Sequence, residues 1–166
     1  MLRPVKPKRP RVAGGHFAIV ASRYNARYVD AMLRAAKAEL KRAGAEVQVV
    51  RVPGAYEIPV VAKALARQSA SNTACVTRLS AILCLGVILR GETVHAAHIG
   101  EAVSQALMQI QLEHEVPVIH EVLLLENEEQ ARKRCLDARH NRGAEAAQTA
   151  LQMASVMCRL EPDIPF

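Results

Sequence analysis

Apolar residues recur along this chain in two alternating rhythms. Phe17 to Ala21 is apolar at every position, which predicts a buried strand. From Arg27 to Ala43, Val29, Met32, Leu33, Ala36 and Leu40 return at helical spacing, and Gly44 follows as a C-cap. Val47 to Val52 reads as a second strand closed by Pro53-Gly54, and Ile58 to Arg67 as a short helix. Gln68 to Thr77 is polar and without period, so a loop is expected there. Ala81 to Leu89 is apolar at almost every position, the mark of a central strand buried on both faces. A helix follows from about Ala96 to Glu113, with Ile99, Val103, Leu107 and Ile110 on one face, and then a fourth strand from Pro117 to Leu125. Asn127 caps a helix expected to run to about Ala138, with Glu128 and Glu129 complementing its dipole. The last helix spans about Gly143 to Arg159.

Strict alternation of strands and helices predicts a three-layer α/β/α domain, a flavodoxin-like four-stranded parallel sheet with right-handed crossovers. With 166 residues, one domain is expected over 16–160, preceded by a flexible basic leader (1–15) and followed by a short tail (161–166). The leader holds Pro4, Pro7 and Pro10 and ends in Gly14-Gly15. Aromatic residues make up only 3% of the chain and Trp is absent, so Ala, Val, Leu and Ile must build the core. The longest apolar runs are too short for a bilayer, and no secretory signal pattern follows the basic N-terminus. Cys75, Cys84, Cys135 and Cys158 lack metal-site spacing and read as reduced thiols of a cytoplasmic protein. A net charge of +6 raises a nucleic-acid reading. That reading weakens on inspection, because Arg3, Lys6, Lys8, Arg9 and Arg11 belong to the leader. Arg132, Lys133, Arg134, Arg139 and Arg142 instead fall beside the candidate chemistry.

Ligands of such sheets bind beyond the carboxyl ends of the strands. Those ends carry Ser22-Arg23-Tyr24-Asn25, Val52 to Pro59, Arg90 to His95, and Glu126-Asn127. Gly91-Glu92-Thr93 is either an ordinary strand-to-helix turn with Thr93 as cap, or a place where backbone N–H groups and a hydroxyl meet an anion. His95 is either a surface group or a proton carrier of near-neutral pKa. His98 stands three residues on, but no third ligand completes a zinc site, and no metal is expected. Tyr24 and Tyr56 serve packing or stack on a flat heterocycle. Arg134 and Arg142 either line a solvated face or hold a phosphate.

At these residues the chain resembles the lumazine synthases. The matching blocks are FAIVASRYN (17–25), VPGAYEIP (52–59), GVILRGETVH (86–95), ENEEQARKR (126–134) and NRGAEAA (141–147), in the same order and spacing over about 16 to 158. The resemblance implies condensation of 5-amino-6-(ribitylamino)uracil with 3,4-dihydroxy-2-butanone 4-phosphate to 6,7-dimethyl-8-ribityllumazine, without a cofactor. It implies that Tyr24 stacks on the pyrimidine, that Ala55, Tyr56 and Glu57 hold the ribityl chain and ring, and that Leu89 floors the ring site. Gly91, Glu92 and Thr93 would bind the phosphate with Arg134 of a neighbouring subunit, and His95 matches the catalytic His. Arg142 stands where the family usually has Lys. His120-Glu121 replaces the usual Phe-Gly at the end of strand four, where a neighbour's Phe covers the ring. The resemblance further implies pentamers or multiples of them, with riboflavin synthase as a candidate partner. A catalytically weak flavin-binding or shell protein of the same family is the alternative reading.

Overall fold

The computed structural model describes residues 14–71, 78–91 and 94–160; the leader up to residue 13, most of the 68–77 segment, Glu92, Thr93 and the tail lie outside the described residues. The elements are β1 (His16–Ser22), α1 (Ala26–Arg42), β2 (Glu46–Val52), α2 (Ile58–Ser71), β3 (Leu79–Leu89), α3 (His95–His114), β4 (Val118–Leu125), α4 (Glu128–Ala131), a π-helical turn (Arg132–Leu136) and α5 (Arg142–Leu160). All four strands are parallel, in the order β2-β1-β3-β4. The expected α/β class and four-stranded parallel sheet are therefore present.

Side chains of a strand alternate between faces, so each strand feeds two cores. Phe17, Ile19 and Ala21 pack with Leu83, Leu85, Met32, Leu40 and Leu151 beneath α1 and α5. Ala18 and Val20 pack with Ile82, Ile58, Val103 and Leu107 beneath α2 and α3. β3 is buried along nearly its whole length on both faces, as its unbroken apolar run requires. Small residues let helices approach closely, and Gly143 is the extreme case. A Cβ there would lie 2.0 Å from the Met32 carbonyl oxygen on α1. Gly44 ends α1 with φ of +73°, a conformation that costs glycine nothing.

Two elements differ from the pattern-based expectation. α2 continues to Ser71 because its buried face continues: Ala62, Ala66 and Ser69 are spaced at helical intervals, and the buried Ser69 hydroxyl accepts from Leu79 N at 2.8 Å. The helix expected over 127–138 begins as predicted, with Asn127 Oδ1 accepting from Gln130 N at 2.9 Å. After Ala131 it widens, Asp137 N reaching Arg132 O at 3.2 Å, and it ends at Leu136. Asp137 is extended, and its carboxylate accepts from Arg139 N at 2.7 Å, a local turn that competes with helix continuation.

Candidate functional site at the carboxyl rim

The loops after β1 and β2 form one unit. Arg23 N donates to Val52 O at 2.8 Å and Tyr24 N to Pro53 O at 2.9 Å, so backbone bonds hold the two aromatic-bearing turns together. Asn25 fastens this unit to the central strand. It takes a left-handed conformation, φ 55°, and its Nδ2 donates to Val87 O at 2.8 Å. Arg51 adds a further tie, donating to Ser22 O and to Asp30 of α1. The sequence places Asn25 at the strand end without marking its role and does not single out Arg51, although an Asn directly before a helical run, able to tolerate the left-handed region, is a readable signal.

On this rigid base Tyr24 is 74% exposed and Tyr56 64% exposed. Neither ring is used by the core, so plain packing within the protomer does not account for them. Ala55 is buried and its carbonyl accepts from Ile58 N at 3.2 Å, opening α2. Glu57 is exposed and turns back to accept from Gly54 N at 2.8 Å.

β3 ends beside β4, with Arg90 N donating to Leu125 O at 2.8 Å and the Arg90 guanidinium on Glu126 at 3.0 and 3.1 Å. Leu89 is half-buried. Gly91 is exposed, a Cβ there would meet nothing within 4 Å, and its φ is not positive. No contact among the described residues demands a glycine at this position. Glu92 and Thr93, the other two members of the expected anion turn, lie outside the described residues. Val94 is the cap residue of α3 and gives no side-chain cap bond; His95 follows as the first helical residue, exposed to solvent.

His120 and Glu121 do not stand at the end of the fourth strand. They are the third and fourth residues of β4, paired with Cys84 and Leu85 and well short of the rim at Leu125. The strand itself matches the run read from Pro117 to Leu125; only the placing of His120-Glu121 at its end is corrected. The two side chains leave opposite faces. His120 points to α3, where Ser104 Oγ donates to Gly100 O at 2.7 Å and therefore accepts from His120 Nε2 at 2.8 Å. Its Nδ1 accepts from Val122 N at 3.4 Å, and burial holds its pKa below the ordinary histidine value.

Glu121 turns to the other face and is 5% exposed. Arg142, the first residue of α5, grips it with a fork: Nε to Oε2 at 3.0 Å and Nη2 to Oε1 at 2.8 Å. Arg142 Nη1 also donates to Glu145 at 2.7 Å. Burial pushes the Glu121 carboxyl up to about 7, while the hydrogen bonds and charge of Arg142 pull the other way. Arg134, half-buried in the π-helical turn, adds its positive field to the same carboxyl. Cys135 beside it is buried, its thiol pushed up to about 12 by desolvation. Apart from His120 on the α3 face of β4, the expected site residues that are described fall into two groups. Tyr24, Ala55, Tyr56, Glu57, Leu89, Gly91 and His95 belong to the rim, and Arg134 with Arg142 gathers about Glu121 on the α5 face of β4.

Free thiols at Cys84, Cys135 and Cys158, and no helix long and apolar enough to cross a membrane, complete the picture among the described residues. Two of the five residues of the second basic group are paired with carboxylates, Arg132 with Glu128 and Arg142 with Glu121, which weakens the case for a broad nucleic-acid face.

A four-stranded parallel sheet between two helical layers defines a doubly wound α/β protein, and its aromatic, carboxylate and histidine side chains are exposed at the carboxyl rim, where such folds bind small molecules. Comparison with known proteins narrows this class. The family model for 6,7-dimethyl-8-ribityllumazine synthase matches residues 14–158. A 6,7-dimethyl-8-ribityllumazine synthase of Xylella fastidiosa (strain 9a5c) is 40% identical over 153 residues, 90% of this chain and 94% of that protein. One of the same name from Stenotrophomonas maltophilia (strain R551-3) is 40% identical over 147 residues, 87% and 90% of the two chains. Another from Xanthomonas oryzae pv. oryzae (strain PXO99A) is 38% identical over 144 residues, 85% and 88%. The chain belongs to the 6,7-dimethyl-8-ribityllumazine synthase family.

Proposed function

We propose that this chain is a transferase that condenses 5-amino-6-(ribitylamino)uracil with 3,4-dihydroxy-2-butanone 4-phosphate, releasing phosphate and water and forming 6,7-dimethyl-8-ribityllumazine for riboflavin synthesis. The observation that carries the reading is the rim itself. Two tyrosines that the core does not use stand on turns tied to each other and to β3, and His95 opens the helix after the third strand.

In this reading Tyr24 stacks on the pyrimidine, Ala55, Tyr56 and Glu57 hold the ribityl chain, and Leu89 lies under the ring. Gly91, Glu92 and Thr93 receive the phosphate at the start of α3, with Arg134 and Arg142 supplying charge. The amine condenses with the ketone to an imine and releases one water, phosphate leaves by elimination, and the ring closes with loss of a second water. Each step moves a proton, and an exposed His95 next to the phosphate turn serves as the carrier. Holding both substrates on one rim supplies the rest as proximity. A single rim is open, so the reading includes a pentamer, or a multiple of pentamers, in which a neighbour covers each site. A cytoplasmic location and an encounter with riboflavin synthase, the consumer of the product, belong to the same reading.

A second reading rests on one observation. The ring of His120 is engaged by Ser104 and the Val122 amide, at the position from which the family's Phe covers a neighbour's ring. A site without that cover suits a catalytically weak, flavin-binding member. Incubation with both substrates, following product absorbance and phosphate release, separates the two. Turnover with stoichiometric phosphate supports the enzyme, and tight riboflavin binding with negligible turnover supports the binding protein.

A further inference from the structure

The two departures at Glu121 and Arg142 are one feature, because the residues hold each other. A guanidinium presents its Nε–Nη edge to a carboxylate and to a phosphate in the same forked geometry, so the two anions are alternatives for one edge. Glu121 occupies the Nε and Nη2 donors of Arg142, and Glu145 occupies Nη1. Three of the five N–H donors of Arg142 are thereby committed to carboxylates, and the local charge of the three side chains is negative when both carboxylates are ionised.

We propose that Glu121 is an internal competitor for Arg142: its buried carboxylate takes the guanidinium edge that an incoming phosphate needs, and so sets how tightly this chain holds its phosphate-bearing substrate. The inference rests on the reading that places the butanone phosphate against Arg134 and Arg142. Arg134 feels the same carboxylate through space, so neutralising Glu121 raises the positive potential at both arginines. The alternative role for the pair is a strut joining β4 to the first turn of α5. A strut predicts lost stability on breaking the fork and no gain in anion affinity.

The test measures binding of inorganic phosphate by calorimetry, alongside KM for the butanone phosphate and the melting temperature. Glu121→Gln keeps the shape and removes the charge. It is expected to bind phosphate about fivefold or more tightly and to lower KM by a similar factor. Adding Arg142→Gln to it should abolish the gain. Phosphate affinity unchanged or weakened in a folded Glu121→Gln variant overturns the proposal. Should that variant fail to fold, Glu145→Gln, which frees Nη1 alone, must tighten phosphate binding by a smaller factor, and no tightening there overturns it equally. Wild-type turnover is read in the same series. An inactive wild type refutes the proposed reaction, whereas an active wild type with no tightening in the variants refutes only the competition.

Discussion

His95 opens α3 with its side chain in solvent, and that placement suits a group that must both take and return protons. His95→Ala should lower kcat by roughly ten- to a thousandfold while the circular dichroism spectrum stays unchanged, since one positioned proton carrier is worth about 10²–10⁴ and uncatalysed condensation leaves a background. Turnover equal to wild type removes His95 from the mechanism. Glu121 makes the opposite point about environment. Burial raises its folded-state pKa to about 7, above the value of about 4.3 for an unfolded carboxyl. The folded state therefore holds its proton more firmly than the unfolded state. That contribution to stability is complete below pH ~4 and is lost as pH rises through about 7, by up to about 4 kcal/mol. Measured between pH 5 and pH 8, the melting temperature of Glu121→Gln should rise relative to wild type as pH increases. Parallel curves for the two proteins would show that Arg142 keeps Glu121 ionised throughout.

At the scale of elements, the sequence was most legible where one face of each element is uniformly apolar. The four strands and the long helices α1, α3 and α5 fall within a few residues of their periodic runs, because burial of a continuous face decides them. It was least legible where a single polar side chain makes the decision. Ser69 reads as a loop residue until its hydroxyl is seen meeting Leu79 N, and Asp137 ends a helix that composition would continue. The site divides the same way. The rim residues could be read from strand ends, but the Glu121–Arg142 fork joins positions 21 residues apart that only the packing of α5 on β4 brings together. Packing also leaves its own fingerprint at Gly143, whose missing side chain admits the α1 backbone. Gly143→Ala should destabilise the protein by about 3 kcal/mol, because backbone rather than a flexible side chain must yield. Chemical denaturation measures this directly; a loss below about 0.5 kcal/mol would mean that the α1–α5 contact is soft.

On the scale of the whole molecule, the two groups of site residues pose a geometric problem. His95 and the tyrosines border the carboxyl ends of β1 to β3, while Arg134 and Arg142 cluster about Glu121, on the outer strand β4. In the proposed reaction both groups serve one pair of substrates. A cyclic oligomer with head-to-tail contacts solves this, because the β4 side of one subunit can be carried onto the rim of the next, and rotation makes every site equivalent. The exposure of Tyr24 and Tyr56 fits a rim that awaits a cover. Complementation tests the arrangement. His95→Ala and Arg134→Ala should each be nearly inactive, one lacking the proton carrier and the other the phosphate anchor. Co-expressed in equal amounts, the two chains form randomly mixed rings in which about a quarter of the sites join an intact His95 to an intact Arg134. Activity should return to about that fraction of wild type. Were both residues drawn from one chain, every site in a mixed ring would carry one lesion or the other, and mixing would restore nothing. Mixed rings as inactive as their parents would thus place the whole site within a single subunit.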